Sequence, residues 1–152
     1  MFLKYPMTGM PAQRGFTLIE IMVAVVVLAI GLLGLAGLQA TSLRFNSSAY
    51  LRSQATSLAY DIADRMRVNA VAARGGAYDG VALQTPLACT AAALAGDVAN
   101  QDIQAWRNAL TCTLPFGTGS IARNGTVFTI TVQWDDSRGQ QPAQQFTMMT
   151  SI

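Results

Sequence analysis

The chain contains no histidine. That absence excludes Ser-His-Asp and Cys-His catalytic sets and any metal site built on imidazole. Charge is scarce as well, with ten basic and eight acidic side chains among 152 residues. A balance this close implies no polyanionic partner, so nucleic acid is not expected as one. Cysteine is limited to Cys89 and Cys112, and no proline occurs between Phe16 and Asn69. Nothing in that stretch therefore breaks a helix. From Phe16 to Leu43 the only ionisable side chain is Glu20.

What is present begins with an apolar run. Ile21 to Leu38 is unbroken apolar residues and glycine, about the length needed to cross a bilayer. The preceding leader, "MFLKYPMTGMPAQRG", holds Lys4 and Arg14, two prolines and no acid. Positive flanks stay cytoplasmic, which places the chain beyond Leu38 on the far side of the membrane. At 152 residues the chain has room for one small domain besides that segment. An even cysteine count in a domain outside the cytoplasm reads as a Cys89–Cys112 disulfide, closing a loop that contributes about 3 kcal/mol. Two unrelated buried thiols are the alternative.

A secretory signal peptide would give the same orientation, with a cut at a small-residue site such as Leu38-Gln39-Ala40. The run is longer than an ordinary signal core, a bulky Leu38 sits at the position that wants a small residue, and Glu20 spoils a region that needs no charge. Two readings remain, a plain anchor and a segment cut on its cytoplasmic side. Glu20 separates them, because a carboxylate at bilayer depth costs at least ~2.5 kcal/mol without a partner. A cut between Gly15 and Phe16 creates an α-amino group about one helical turn before Glu20. Amine and carboxylate, in one chain or between neighbours, then offset each other's desolvation.

The stretch "RGFTLIEIMVAVVVLAIG" resembles the class III signal of type IV pilins and pseudopilins. The resemblance implies that prepilin peptidase cuts between Gly15 and Phe16 on the cytoplasmic face and that Phe16 becomes an N-methylated terminus. It also implies that Glu20 pairs with the Phe16 amine of an adjacent subunit during assembly. Implied partners are prepilin peptidase, other minor and major pilins, the inner-membrane assembly platform and inner-membrane lipid.

Beyond Leu38 the pattern turns amphipathic. Leu43, Leu51, Ala55, Leu58, Ile62 and Met66 form one stripe with Ser47 filling its gap, while Arg44, Arg52, Asp61, Arg65 and Arg67 occupy other faces. Asp61 and Arg65 are spaced for a modest surface pair. One helix from Phe16 to Asn69 would extend about 80 Å, half in lipid and half against the soluble domain. Gly31, Gly34 and Gly37 are either a close-packing face or a section that unwinds in assembly.

Gly75 and Gly76 in "ARGGAYDG" stop that helix. A loop follows, with an Ala-rich stretch from Leu87 to Gly96. A second, short helix opens at Asp97, a good N-cap, with Ala99, Ile103, Trp106 and Leu110 on one face. Trp106 reads as core rather than as a partner-binding anchor. From Gly119 the period changes to two. Phe128, Ile130, Val132 and Trp134 alternate with Val127, Thr129, Thr131 and Gln133 as a half-buried strand. Asn124-Gly125 signals a hairpin to a neighbour at Ser120 to Arg123. Phe146, Met148 and Ile152 mark a third strand after the loop "DDSRGQQPA". The fold class is α+β and pilin-like, a long amino-terminal helix on a three-stranded antiparallel meander with one extra short helix. The domains expected are a leader at 1–15, the membrane and assembly half of the helix at 16–38, its amphipathic half at 39–72, and a periplasmic head at 73–152.

"DIQAWRNAL", "LPFGTGSI" and "FTITVQWDD", in that order, resemble the PilV-type minor pilins. With "LRFNSSAYLRSQATSLAYDIADRMRVN" the resemblance covers most of the chain, and it implies a low-abundance component that primes pilus assembly, near the filament tip.

No catalytic set emerges. Asp135 and Asp136 are adjacent, so on a strand they point to opposite faces and form no dyad. A calcium loop from Asp135, Asp136 and Ser137 lacks any ligand pattern, and a solvated turn is the simpler reading. "RGG" and "FGTGS" lack the Lys and the strand-to-helix context of phosphate loops. The chain is expected to be a structural protein with no cofactor or metal, a minor pilin. The alternatives are a minor pseudopilin of type II secretion, which shares Arg14 to Leu38 entirely, and a ligand- or DNA-binding pilus subunit, for which an exposed basic or aromatic patch would be needed.

Overall fold

A computed structural model describes residues 15–85, 88–90 and 94–152. The leader, with Lys4 and Arg14, and part of the Ala-rich stretch lie outside the described residues. The order is α1 (Leu18–Val68), α2 (Ala70–Arg74), α3 (Val98–Thr113), β1 (Thr118–Asn124), β2 (Val127–Trp134) and β3 (Gln144–Ser151). The fold is α+β, a long amino-terminal helix with a short further helix and a three-stranded antiparallel sheet. Contacts divide the chain into two units between Leu43 and Arg44.

The first unit is helical from Leu18 onward. With proline absent and every residue from Ile21 to Leu38 apolar or glycine, only backbone bonds within the segment are needed. Its large side chains, Phe16 through Leu43, are exposed along the whole run. That run is the one stretch among the described residues that is long and apolar enough to cross a membrane. Burial of so much apolar surface has to come from lipid or from other chains.

The second unit has its own core. The carboxyl-terminal part of α1 buries Ala55, Ala59, Ile62, Ala63 and Met66, with Leu51 and Leu58 packed at the margin. Leu43 and Ser47 were expected on this stripe but are exposed. Alanines at steps of four take their place as the true centre line, and their short side chains let facing residues come close. Trp106, Leu110, Ile121, Phe128, Ile130, Val132 and Trp134 complete the core.

α1 ends at Val68, where the sequence predicted continuity through Asn69 and Gly75-Gly76 as the stop. Asn69 leaves helical geometry (φ −101°, ψ 43°), and its amide donates to the Tyr78 hydroxyl at 3.2 Å. The two glycines end the short α2 instead. Ala77 N–H bonds the Ala72 carbonyl and Gly76 N–H the Ala73 carbonyl, with Gly76 at φ +92°, the Schellman arrangement that satisfies the last carbonyls of a helix. Arg123 caps the same end, donating to the Ala73 and Arg74 carbonyls at 3.2 and 2.8 Å.

α3 starts as predicted, with the Asp97 carboxylate accepting from Asn100 N–H at 2.8 Å. Ala99, Ile103, Trp106 and Leu110 are its buried face. The sheet order is β1-β2-β3. Asn124 itself pairs with Val127, so the hairpin loop is Gly125-Thr126 rather than Asn124-Gly125. Gly125 has φ +62° and Thr126 does not share the positive φ, the pattern of a loop that takes glycine first.

Candidate functional site

The residues singled out by sequence fall into three places. Gly15, Phe16 and Glu20 lie at the start of α1; Gly31, Gly34 and Gly37 lie further along it; Cys89 and Cys112 belong to the second unit.

At the first place Phe16 is 80 % exposed, and Thr17 occupies the position before the helix. The Glu20 N–H donates to the Thr17 carbonyl at 3.1 Å and lies 3.4 Å from the Thr17 hydroxyl. Thr17 is thus an N-cap and Glu20 the third helical residue, the T-x-x-E spacing of a capping box. The sequence carried this signal, and the reading of Glu20 through charge alone passed over it. Glu20 therefore has two tasks. In the single chain its negative charge sits in the first turn, where the helix dipole favours an anion. Among the described residues no cation pairs with its exposed carboxylate.

Ala24, Val27, Gly31, Gly34 and Leu38 follow Glu20 at alternating steps of four and three, which puts them on Glu20's face of α1. Gly37 stands off that line. A Cβ added at Gly31, Gly34 or Gly37 meets nothing within 4 Å. No contact among the described residues requires these glycines, and the backbone is helical through all three. The hydroxyl of Thr41 bonds back to the Gly37 carbonyl at 3.0 Å.

Cys89 and Cys112 form a disulfide with Cα atoms 4.8 Å apart. It ties the loop before α3 to the last turn of that helix.

A polar network was only half visible in the sequence. Arg65 pairs with Asp61 at 2.9 Å, as the spacing predicted, and also reaches Asp102 on α3 at 3.3 Å. The second Asp102 oxygen accepts from the Tyr78 hydroxyl at 2.6 Å. Burial and this carboxylate push the Tyr78 hydroxyl up to about 12. The hydrogen bond to Asp61 is the main reason the Arg65 guanidinium is held above its ordinary value. These groups fasten helix to helix and show no open cleft of reacting atoms. Among the described residues no three His, Cys, Asp or Glu side chains gather as a metal site. The Asp135 carboxylate, expected in a solvated turn, accepts from Ser137 and Gly139 and is lowered below the usual carboxylate range by those bonds, Ser137 first. Asp136 accepts from the Ser48 hydroxyl at 2.9 Å. Trp106 and Trp134 are both buried, so neither indole is presented for stacking on a base.

Residues 10–36 match the family model described as the prokaryotic N-terminal methylation motif. The match contains Gly15, Phe16 and Glu20 and ends before the second unit begins. No curated protein and no solved structure matches the chain. The motif supports a class III signal of the type IV pilin kind, and with it a pilin-like or pseudopilin protein that is structural in character. It implies processing by prepilin peptidase and assembly with other pilins. With the apolar start of α1 it fits membrane anchoring followed by filament assembly.

Proposed function

We propose that this chain is a minor pilin of the PilV type, a structural subunit that primes assembly of a type IV pilus. Prepilin peptidase removes residues 1–15, and the new Phe16 amine is N-methylated. The mature chain waits in the inner membrane with its amino terminus cytoplasmic and residues 73–152 in the periplasm, then enters the filament near its tip. Residues 16–38 span the membrane and later the filament interior, while residues 39–72 join that segment to the head. Gly31, Gly34 and Gly37 serve as packing or unwinding points of the membrane half.

One observation carries the reading. A carboxylate that no cation pairs with among the described residues stands one turn after Gly15-Phe16, inside an apolar run that matches the methylation motif. Capping the helix would need only an exposed N-terminus, whereas an intramembrane acid requires a cation. In this mechanism the amine of one subunit neutralises Glu20 of the next, so apolar helices assemble in one register and the pair forms only when both are desolvated together. The second unit supplies the contacts that decide which subunits are neighbours.

The test is Glu20→Gln in the host that makes the chain. The variant is expected to be cleaved normally yet to fall at least about tenfold in sheared filaments, since its neutral side chain no longer attracts an amine. Incorporation at the level of the unaltered chain would refute the pairing role.

A further inference from the structure

The second unit begins at Arg44, and one end of it gathers around that entry. In the antiparallel meander Thr118 opposes Gln133 and Trp134 opposes Gln144, so the start of β1, the end of β2 and the start of β3 lie together. α1 meets this end through Ser48, whose hydroxyl donates to Asp136 Oδ2 at 2.9 Å. The turn before β1 meets it through Pro115, whose carbonyl accepts from Asp135 N–H at 2.9 Å. Between α1 and the β2–β3 loop runs a cleft of about 660 Å³, with Arg44, Ser48, Asp136 and Arg138 among its lining.

The charges in this cleft are of both signs. Among the described residues neither Arg44 nor Arg138 takes part in an ion pair. Asp136 accepts through Oδ2, from Ser48, and its Oδ1 has no partner among the described residues. The neighbouring Asp135 is occupied by its own loop, accepting from Ser137 and Gly139. Two guanidinium groups suit a phosphate. A carboxylate between them opposes a purely anionic ligand and leaves an oxygen ready to accept from a cation. A ligand that carries phosphate and ammonium together answers all three groups.

Two exposed aromatic rings stand at the same end. Phe45 follows Arg44, and Phe116 follows Pro115 in the turn that meets Asp135. Phe116 takes the left-handed region at φ +51°, where a bulky residue is held against strain, yet its ring stays outside the core. Apolar rings beside arginines are what a lipid–water boundary receives. Arg44 lies six residues beyond Leu38, where the unbroken apolar run ends. That is about 9 Å of helical rise. A headgroup layer is roughly 5–8 Å deep, within reach of an arginine side chain turned back toward it. We infer that this cleft binds the headgroup of a membrane phospholipid that carries both a phosphate and a primary ammonium, the chemistry of phosphatidylethanolamine. Arg44 and Arg138 hold the phosphate, Asp136 accepts from the ammonium, and Phe45 and Phe116 meet the lipid around it. The bound headgroup ties the second unit to the bilayer surface before assembly. This inference rests on the membrane span proposed for residues 16–38.

The test uses the full chain extracted in detergent and incubated with phosphatidylethanolamine, phosphatidylcholine or phosphatidylglycerol of one acyl composition. Native mass spectrometry reads the retained lipid. Phosphatidylethanolamine is expected to bind at least about tenfold more tightly than the other two, because the choline headgroup has no N–H to donate and the glycerol headgroup has no cation. The Arg44→Gln/Arg138→Gln double variant alters two exposed side chains and should keep the near-ultraviolet circular dichroism of the parent. It should weaken that binding at least about tenfold. Asp136→Asn should remove the preference for phosphatidylethanolamine over phosphatidylglycerol, a change of selectivity that loss of fold does not produce. Glycerophosphoethanolamine, the same headgroup without acyl chains, is expected to bind at least about tenfold more weakly than the lipid. Equal retention of the three lipids by the membrane-extracted chain would overturn this inference alone. So would an arginine variant that binds like the parent, an Asp136→Asn chain that keeps the preference, or a soluble headgroup that binds as tightly as the lipid. A chain recovered only in the soluble fraction would overturn the membrane span and this inference with it.

Discussion

The indole N–H of Trp106 donates to the backbone carbonyl of Leu58 across 2.9 Å. This bond joins the middle of α3 to the buried part of α1, and it explains why a tryptophan rather than a smaller apolar residue stands there. Trp106→Phe keeps the aromatic packing but loses the bond and part of the volume, a cost of about 1–2 kcal/mol. Trp106→Ala should cost ~3–5 kcal/mol. Denaturant unfolding of the full chain in detergent checks both values, and equal stability of Trp106→Phe and parent would show the bond to be idle.

Gly119 is the complementary feature. A Cβ there would collide with the Trp106 ring and would stand 2.8 Å from a Leu110 methyl. Gly119→Ala is therefore expected to destabilise by about 1–3 kcal/mol through overpacking. At Gly125 an added Cβ meets nothing, so alanine there costs only its left-handed backbone, roughly 1–2 kcal/mol. Suppressing the Gly119→Ala loss with Trp106→Phe would confirm the contact, because neighbours couple and distant sites add.

Tyr78 gives a pH signature. Its hydroxyl ordinarily titrates near 10 and is pushed up to about 12, first by burial and then by its bond to Asp102. A raised folded value means that the unfolded chain releases its proton first as pH rises. The stability that Tyr78 contributes is therefore whole below pH ~10 and declines through pH ~12, by up to ~2 kcal/mol. Tyr78→Phe should remove that slope. An unchanged slope in the variant would assign it to other groups.

How much of this was legible in sequence depends on the kind of signal. The apolar run, Glu20 and the methylation motif that contains Gly15 and Phe16 are written in consecutive residues. The face Ala99, Ile103, Trp106, Leu110 and the alternation from Phe128 to Trp134 follow from period alone, and both are buried as predicted. Asp97 caps α3 because its side chain needs only the next turn. What was misread depends on contacts distant in sequence. The end of α1 at Val68 is coupled to Asn69 meeting Tyr78, and the burial of Ala59 and Ala63 in place of Leu43 follows from where the second unit packs. Asp102 joins Arg65 and Tyr78 only after α3 is placed. The T-x-x-E cap at Thr17 is local and readable, since Thr17 and Glu20 stand one turn apart in the sequence.

If Phe16 becomes the amino terminus and pairs with Glu20, intact-mass spectrometry of the membrane-extracted protein reads the new terminus directly. The expected chain starts at Phe16, carries one added methyl group, and is two hydrogens light for the Cys89–Cys112 bond. A chain that still starts at Met1, or one cut near Thr41, would contradict it.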